Sequence, residues 1–135
     1  MAAWLFKTEP GEYSYADLAR DKRTVWAGVS NALALIHLRN ILKGDTVVVY
    51  HTAGEKRAVG LATVSKGPYA DPELDDARRV VVDLKPLRAL IRAVPLSVFK
   101  SDSVLRTTEL VRISRLSVMP LTAAHFERLL ALAQG

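Results

Sequence analysis

The sequence predicts an α+β fold: one mixed or antiparallel sheet, strongly curved toward a partly closed barrel, with helices on its flanks. Three observations lead there. Strand patterns outnumber helix patterns, the strands follow one another mostly as hairpins, and the elements run strand, helix, helix, hairpin, strands, helix. The length of 135 residues suits a single domain, 1–135, with a core large enough to need no covalent staples.

The first strand is Trp4-Leu5-Phe6, large apolar residues suited to a pleated, half-buried surface. It runs into Lys7, Thr8 and Glu9, and Pro10 ends it, having no N–H for the ladder. A buried strand thus delivers a cation, a hydroxyl and a carboxylate to its own exit, where rigid scaffolds commonly carry sites. Ser14 to Arg20 reads as a short helix, with Ser14 as cap and Asp17 three residues on. Thr24 to Asn31 fits no regular element; its Trp26 and Gly28 suggest unusual backbone or close approach. Asn31 caps a helix to about Leu42, so apolar that it is expected to pack on the sheet around most of its circumference, with Gly44 as the stop.

Asp45 to Thr52 and Ala58 to Ser65 form a hairpin around a turn at residues 53–57. Residues 67–78, with two prolines and four acids, read as a surface loop. Val80 to Leu84 is a strand that residues 87–93 continue or re-enter. Leu96 to Lys100 makes one helical turn, Leu105 to Arg112 is ambiguous, and Ser114 to Met119 is a short strand broken by Pro120. Thr122 caps a final amphipathic helix, Ala123 to Ala133, whose Phe126, Leu129, Leu130 and Leu132 face inward.

Composition narrows the function. There is no cysteine, hence no disulfide framework or thiolate chemistry; a reducing compartment, cytosolic or nuclear in type, is permitted, and the cytoplasm is the location expected. No apolar run approaches the ~20 residues of a membrane span, and Met1 to Phe6 is too short for a secretory leader. The net charge of +5 is spread over both halves and permits a polyanionic partner without demanding one. No phosphate-binding loop, dinucleotide fingerprint or nucleophile elbow is present. His37, His51 and His125 lack metal-ligand spacing, so neither metal nor cofactor is expected. His37 and His125 read as satisfied or exposed helix residues; His51, directly after a buried strand, is divided between a structural role and a site. Glu9 and Asp45 could pair as carboxylates, though nothing in the sequence brings them together.

Read in order, Trp4 to Pro10 (WLFKTEP), Tyr13-Ser14, Trp26 to Asn31 (WAGVSN), Gly44-Asp45, Tyr50-His51-Thr52 and Arg115 to Pro120 (RLSVMP) resemble the EVE domain family over nearly the whole chain. The resemblance implies a PUA-like architecture, a curved pseudo-barrel with flanking helices, kin to PUA and YTH domains. It also implies a concave pocket for a flipped, often modified, nucleobase. The second motif departs from the family's W-D/S-G-V-R-N: Ala27 replaces a polar residue and Ser30 an arginine, removing a rigid five-donor fork.

The leading expectation is a non-catalytic module binding a modified base of DNA or RNA, or a free base-like molecule, as a monomer or weak dimer with no membrane. Its pocket would draw on Lys7, Thr8, Glu9, Tyr13, Trp26, Gly28, Val29, Asn31 and His51. Lys7 and Asn31 would read the base edge and Trp26 would stack, so Trp26→Ala should abolish selectivity and leave the fold intact. Stacking contributes about 1–3 kcal/mol per base and extrusion costs a few, so polar contacts must supply the surplus. Tyr13 could equally be a packing residue, Trp26 could simply be core, Asn31 could serve only as its helix cap, and Lys7 and Glu9 could simply pair. A second expectation is a small hydrolase on a modified nucleoside or acyl amide, with Lys7 as nucleophile or base and Glu9 as acid; it requires a strongly depressed lysine pKa. A third is a protein-interaction module with a vestigial pocket.

Overall fold

In the computed structural model, which describes residues 2–134, six strands form one curved sheet that stays open. The strands are β1 (Ala3–Thr8), β2 (Thr24–Trp26), β3 (Thr46–His51), β4 (Arg57–Ala70), β5 (Val80–Pro95) and β6 (Val118–Leu121), in the order β2-β5-β4-β3-β1-β6. Met1 and Gly135, the ends of the expected domain and of the expected absence of a leader, lie outside the described residues.

The sheet is mixed because of one connection. From β1 the chain passes through α1 (Tyr15–Asp21), β2 and α2 (Ala32–Arg39) before returning as β3, long enough for β3 to lie parallel to β1. The remaining pairings are antiparallel. All six residues of β3 are buried, as expected of a strand covered on both faces. Leu5, Phe6, Leu38, Ile41, Leu61, Leu84, Phe99, Leu116, Met119 and Leu129 fill the core.

Local chemistry explains the helices. Ser14 Oγ accepts from Asp17 N at 3.0 Å while Asp17 Oδ2 accepts from Ser14 N at 2.9 Å, a reciprocal capping box that starts α1. Asn31 Oδ1 accepts from Ala34 N at 3.0 Å and starts α2. α3 (Leu96–Ser101), a 3₁₀ turn at Leu105–Thr107 and α4 (Glu109–Arg112) lead to β6. Thr122 Oγ1 accepts from His125 N at 3.1 Å as α5 (Ala123–Gln134) begins.

Six expectations need correction. Thr24 to Trp26, expected to fit no regular element, is β2, paired with Val82 to Leu84 of β5. The last strand begins at Val118 and not at Ser114. α2 ends at Arg39, not near Leu42, because the Asp45 carboxylate takes Leu42 N at 2.9 Å and draws the chain out of the helix. α2 also presents Leu33 and Ile36 to solvent; only Ala34, Leu35 and Leu38 are buried, so it packs on one face. β4 continues through Gly67 and Pro68 to Ala70, with register shifts between Lys66 and Tyr69 absorbing the proline, so the loop is only 71–79. Pro120 lies within β6 opposite Trp4; β6 is an edge strand, where a missing N–H leaves no ladder bond unmade. The ambiguous 105–112 segment is the 3₁₀ turn and α4, and 80–95 is one continuous strand.

No helix among the described residues is long and apolar enough to cross a membrane. Among those residues, no group of three His, Cys, Asp or Glu could hold a metal ion. His37 approaches Glu109 at 3.3 Å without hydrogen-bond geometry, and His125 faces Thr107 at 2.7 Å.

Candidate functional site

At the exit of β1 lies a cavity of about 530 Å³, within the ~300–1,000 Å³ usual for small-molecule and cofactor sites. Two stretches separated by α1, together with Ser117, enclose it. One is the end of β1 and the turn after it, residues 7–13. The other is β2 with the irregular segment that joins it to α2, residues 24–31. The structure therefore brings together eight residues singled out from the sequence: Lys7, Thr8, Glu9, Tyr13, Trp26, Gly28, Val29 and Asn31.

Trp26 forms the wall and is also core. It is 9% exposed, its ring lies 5.5 Å from Phe6, and Tyr13 meets it edge-on at 6.3 Å. Trp26→Ala would therefore cost stability. Gly28 has φ +84°, and a Cβ there would meet open space, so its backbone angle and not crowding calls for glycine.

The polar groups divide into those already engaged and those still available. Lys7 Nζ donates to Ser114 O at 2.7 Å and does not pair with Glu9. Burial pulls the lysine below its ordinary pKa. Thr8 Oγ1 donates to Tyr13 O at 2.6 Å. The Asn31 acceptor is spent on its cap, while its two amide donors have no partner among the described residues. The Glu9 carbonyl accepts from Glu12 N and Tyr13 N, both at 2.9 Å, closing the turn that aims this segment. The carboxylates of Glu9 and Glu12 have no partner among the described residues. Tyr13 Oη donates to Asp21 Oδ2 at 2.9 Å, and burial leads in pushing its pKa up.

His51 does not join the cavity. Its ring is buried under α1, where Nε2 accepts from Tyr15 N at 3.0 Å and Nδ1 lies 3.0 Å from Glu55 Oε1. Both ring nitrogens are engaged, so the residue holds α1 on the sheet. Asp45 likewise is not a partner for Glu9. Its carboxylate accepts from Ala2 N, from the Trp4 indole at 3.0 Å and from Leu42 N, fastening the opposite end of β1.

With this geometry in place, the EVE domain family model matches residues 2–132. The chain belongs to the EVE domain family. Mouse thymocyte nuclear protein 1 is 30% identical over 165 residues, covering 97% of this chain and 73% of that protein. An NMR structure of a Rhodopseudomonas palustris protein, 31% identical, superposes with a TM-score of 0.94 over 99% of this chain and 94% of that one. The human THYN1 protein in complex with 5-methylcytosine containing DNA is 28% identical, with a TM-score of 0.91 over 100% of this chain and 99% of that chain.

This EVE domain also lines its cavity with Glu12, Thr24, Val25 and Ser117, which sequence reasoning passed over, and with Ala27 and Ser30, the two departures in the second motif. Ser117 arrives through the antiparallel β1–β6 pairing, where its carbonyl accepts from Lys7 N at 2.9 Å. The closing RLSVMP motif contains Ser117, but only the strand pairing connects it to residue 7. Behind the wall, Asp83 anchors β2. It is 1% exposed, accepts from Arg23 at 2.7 and 3.2 Å, and takes a short hydrogen bond from the Tyr69 hydroxyl. Burial alone would raise the Asp83 pKa, but Tyr69 and Arg23 outweigh it and hold the carboxyl below its ordinary value. Burial, then the bond to Asp83, pushes Tyr69 up to about 12. Val25 pairs with Asp83 and Trp26 with Val82, so this cluster fixes the strand that carries the wall.

Proposed function

We propose that this chain is a non-catalytic reader that takes a flipped, modified base of a nucleic acid into the cavity between Lys7 and Trp26. One observation carries the reading: an open cavity with an aromatic wall whose polar lining is only partly engaged. Free donors on Asn31 and free acceptors on Glu9 and Glu12 face a space of about 530 Å³. A base offers a flat apolar body with donors and acceptors on its edge, which is what such a lining complements. Carboxylates at the cavity favour a base with an exocyclic amine. The human relative in complex with 5-methylcytosine containing DNA supports modified cytosine in DNA as the first ligand to test. RNA carrying a modified base is the alternative substrate. In this reading the module works in the cytoplasm as a monomer or weak dimer.

One observation favours a hydrolase as the second reading, namely the lowered pKa of Lys7. Against it, Lys7 Nζ already donates to Ser114 O, which leaves no lone pair aimed at a substrate while the lysine is protonated. No acid partner lies within ion-pair distance of it among the described residues.

Calorimetric titration with oligonucleotides that differ only at one cytosine, methylated or not, tests the reader. Preference for the methylated strand by about tenfold or more, without turnover on prolonged incubation, is the expected result. Equal affinity for both strands would remove modified-base recognition. Release of a product would establish the hydrolase, and silence against nucleic acid and nucleoside alike would favour the vestigial-pocket, protein-interaction reading.

A further inference from the structure

We propose that Arg79 and Arg39 form a phosphodiester-binding rim beside the cavity, holding the nucleic-acid backbone on either side of the accepted base. The inference rests on reading the cavity as a base pocket and adds the groups that grip the polymer.

Arg79 closes the 71–79 loop between β4 and β5. Its Nε donates to Val29 O at 2.9 Å, across fifty residues of sequence. Val29 lines the cavity and Arg79 does not, so the guanidinium stands just behind the wall. The bond uses one of five donors and fixes the plane of the group. Arg39, in the last turn of α2, donates from Nη2 to Arg78 O at 2.7 Å. Two guanidinium groups from separate elements therefore converge on one loop, Arg79 against Val29 of the cavity wall and Arg39 at the neighbouring Arg78.

Neither forms an ion pair among the described residues. Arg78, between them in sequence, is the contrast: both of its ends are taken by Asp76, at 3.1 Å each. The loop is held on both sides, with Arg79 N donating to Asp76 O at 3.0 Å and Arg79 O accepting from Asp71 N at 2.9 Å. Anchored guanidinium groups with unspent donors are the arrangement that suits an anionic oxygen pair.

The charge inside the cavity makes such a rim necessary. Among the described residues Lys7 is the one cation on its lining, against Glu9 and Glu12. That interior accepts a neutral base and repels a phosphate. An extruded base brings its flanking phosphates to the mouth, where the opposite charge is required.

The test measures two ligands in parallel over about 50 to 200 mM salt: a methylcytosine oligonucleotide by fluorescence anisotropy and free 5-methylcytidine by NMR titration. Arg79→Gln and Arg39→Gln should each weaken the oligonucleotide about 3- to 10-fold. Each should also flatten the dependence of log K on log salt by about 0.7–0.9. Nucleoside affinity should stay as in wild type in Arg39→Gln, which touches no lining residue, whereas Arg79→Gln also gives up the bond to Val29 O and is read by its salt slope. Arg79→Lys should restore the salt slope in part. Unchanged oligonucleotide affinity and slope in the double variant would overturn the rim and leave the pocket standing. Wild type that binds nucleoside but no oligonucleotide would do the same. Wild type that binds neither would overturn the pocket reading, and the rim with it.

Discussion

β1 and β3 lie side by side in parallel and reach the same margin of the sheet, Lys7 beside Tyr50 and Thr8 beside His51. Both end in polar residues after a buried run, and in the sequence both exits look equally fit for a site. They meet different fates. α1 lies across the β3 exit, with the Tyr15 amide on His51 Nε2 and the Tyr15 hydroxyl donating to Leu61 O at 2.7 Å. Gly60 makes this possible, since a Cβ there would fall 2.4 Å from the Tyr15 ring. The β1 exit is flanked instead by β2 and the 26–31 segment, which stand off and leave a cavity. A polar strand end becomes a candidate site only where the neighbouring element fails to cover it.

The largest effect separating the two exits belongs to the wall of the open one. Trp26→Ala should lower the unfolding free energy by about 3–5 kcal/mol in urea denaturation, because the ring packs on Phe6 as well as facing the cavity. Trp26→Phe should keep most of that stability yet weaken modified-nucleoside binding about tenfold, about 1.4 kcal/mol. At the closed exit the pattern reverses. His51→Ala should cost about 1–3 kcal/mol by stranding the Tyr15 amide and leave nucleoside affinity unaltered in the folded protein. A fall in affinity at full folding would erase the distinction between the exits.

The fold was largely legible because its signals are local. The Ser14–Asp17 box, the Asn31 cap and the apolar runs of β1 and β3 each dictate an element without help from elsewhere. The extension of β4 past Pro68 and the pairing of Pro120 were not, since both depend on a neighbouring strand that supplies the ladder. The site divides the same way. Lys7 to Glu9 and Trp26 to Asn31 announce themselves by residue type and a glycine. Ser117 and Glu12 enter only through strand pairing and a turn, and His51 was misplaced because Tyr15, its actual partner, is 36 residues away.

A smaller effect tests how the open exit is held. Asp83→Asn should cost about 1–2 kcal/mol, limited because the Arg23 side chain is 59% exposed. The Asp83 carboxyl has a lower pKa folded than unfolded, so its contribution is present above the ordinary 3.8 and is lost as pH falls through the folded value. Thermal melts of wild type should therefore decline below about pH 4 more steeply than those of Asp83→Asn.

The smallest effect concerns Lys7. Its folded pKa lies below 10.5, so the proton leaves earlier on folding than in the free chain. The stability contribution of the group then rises with pH across the window below 10.5, while any binding that uses the ammonium declines across the same window. Lys7→Met should remove that decline in titrations run from neutral to alkaline pH. A pH dependence that survives the substitution would assign it elsewhere.

Mapping backbone amide shifts in ¹H–¹⁵N spectra as 5-methylcytidine is added tests the central claim most directly. Perturbations are expected at Lys7, Glu9, Gly28, Asn31 and Ser117, with Tyr15, His51 and Glu55 unmoved. Shifts centred on the His51 side, or none at saturating ligand, would contradict it.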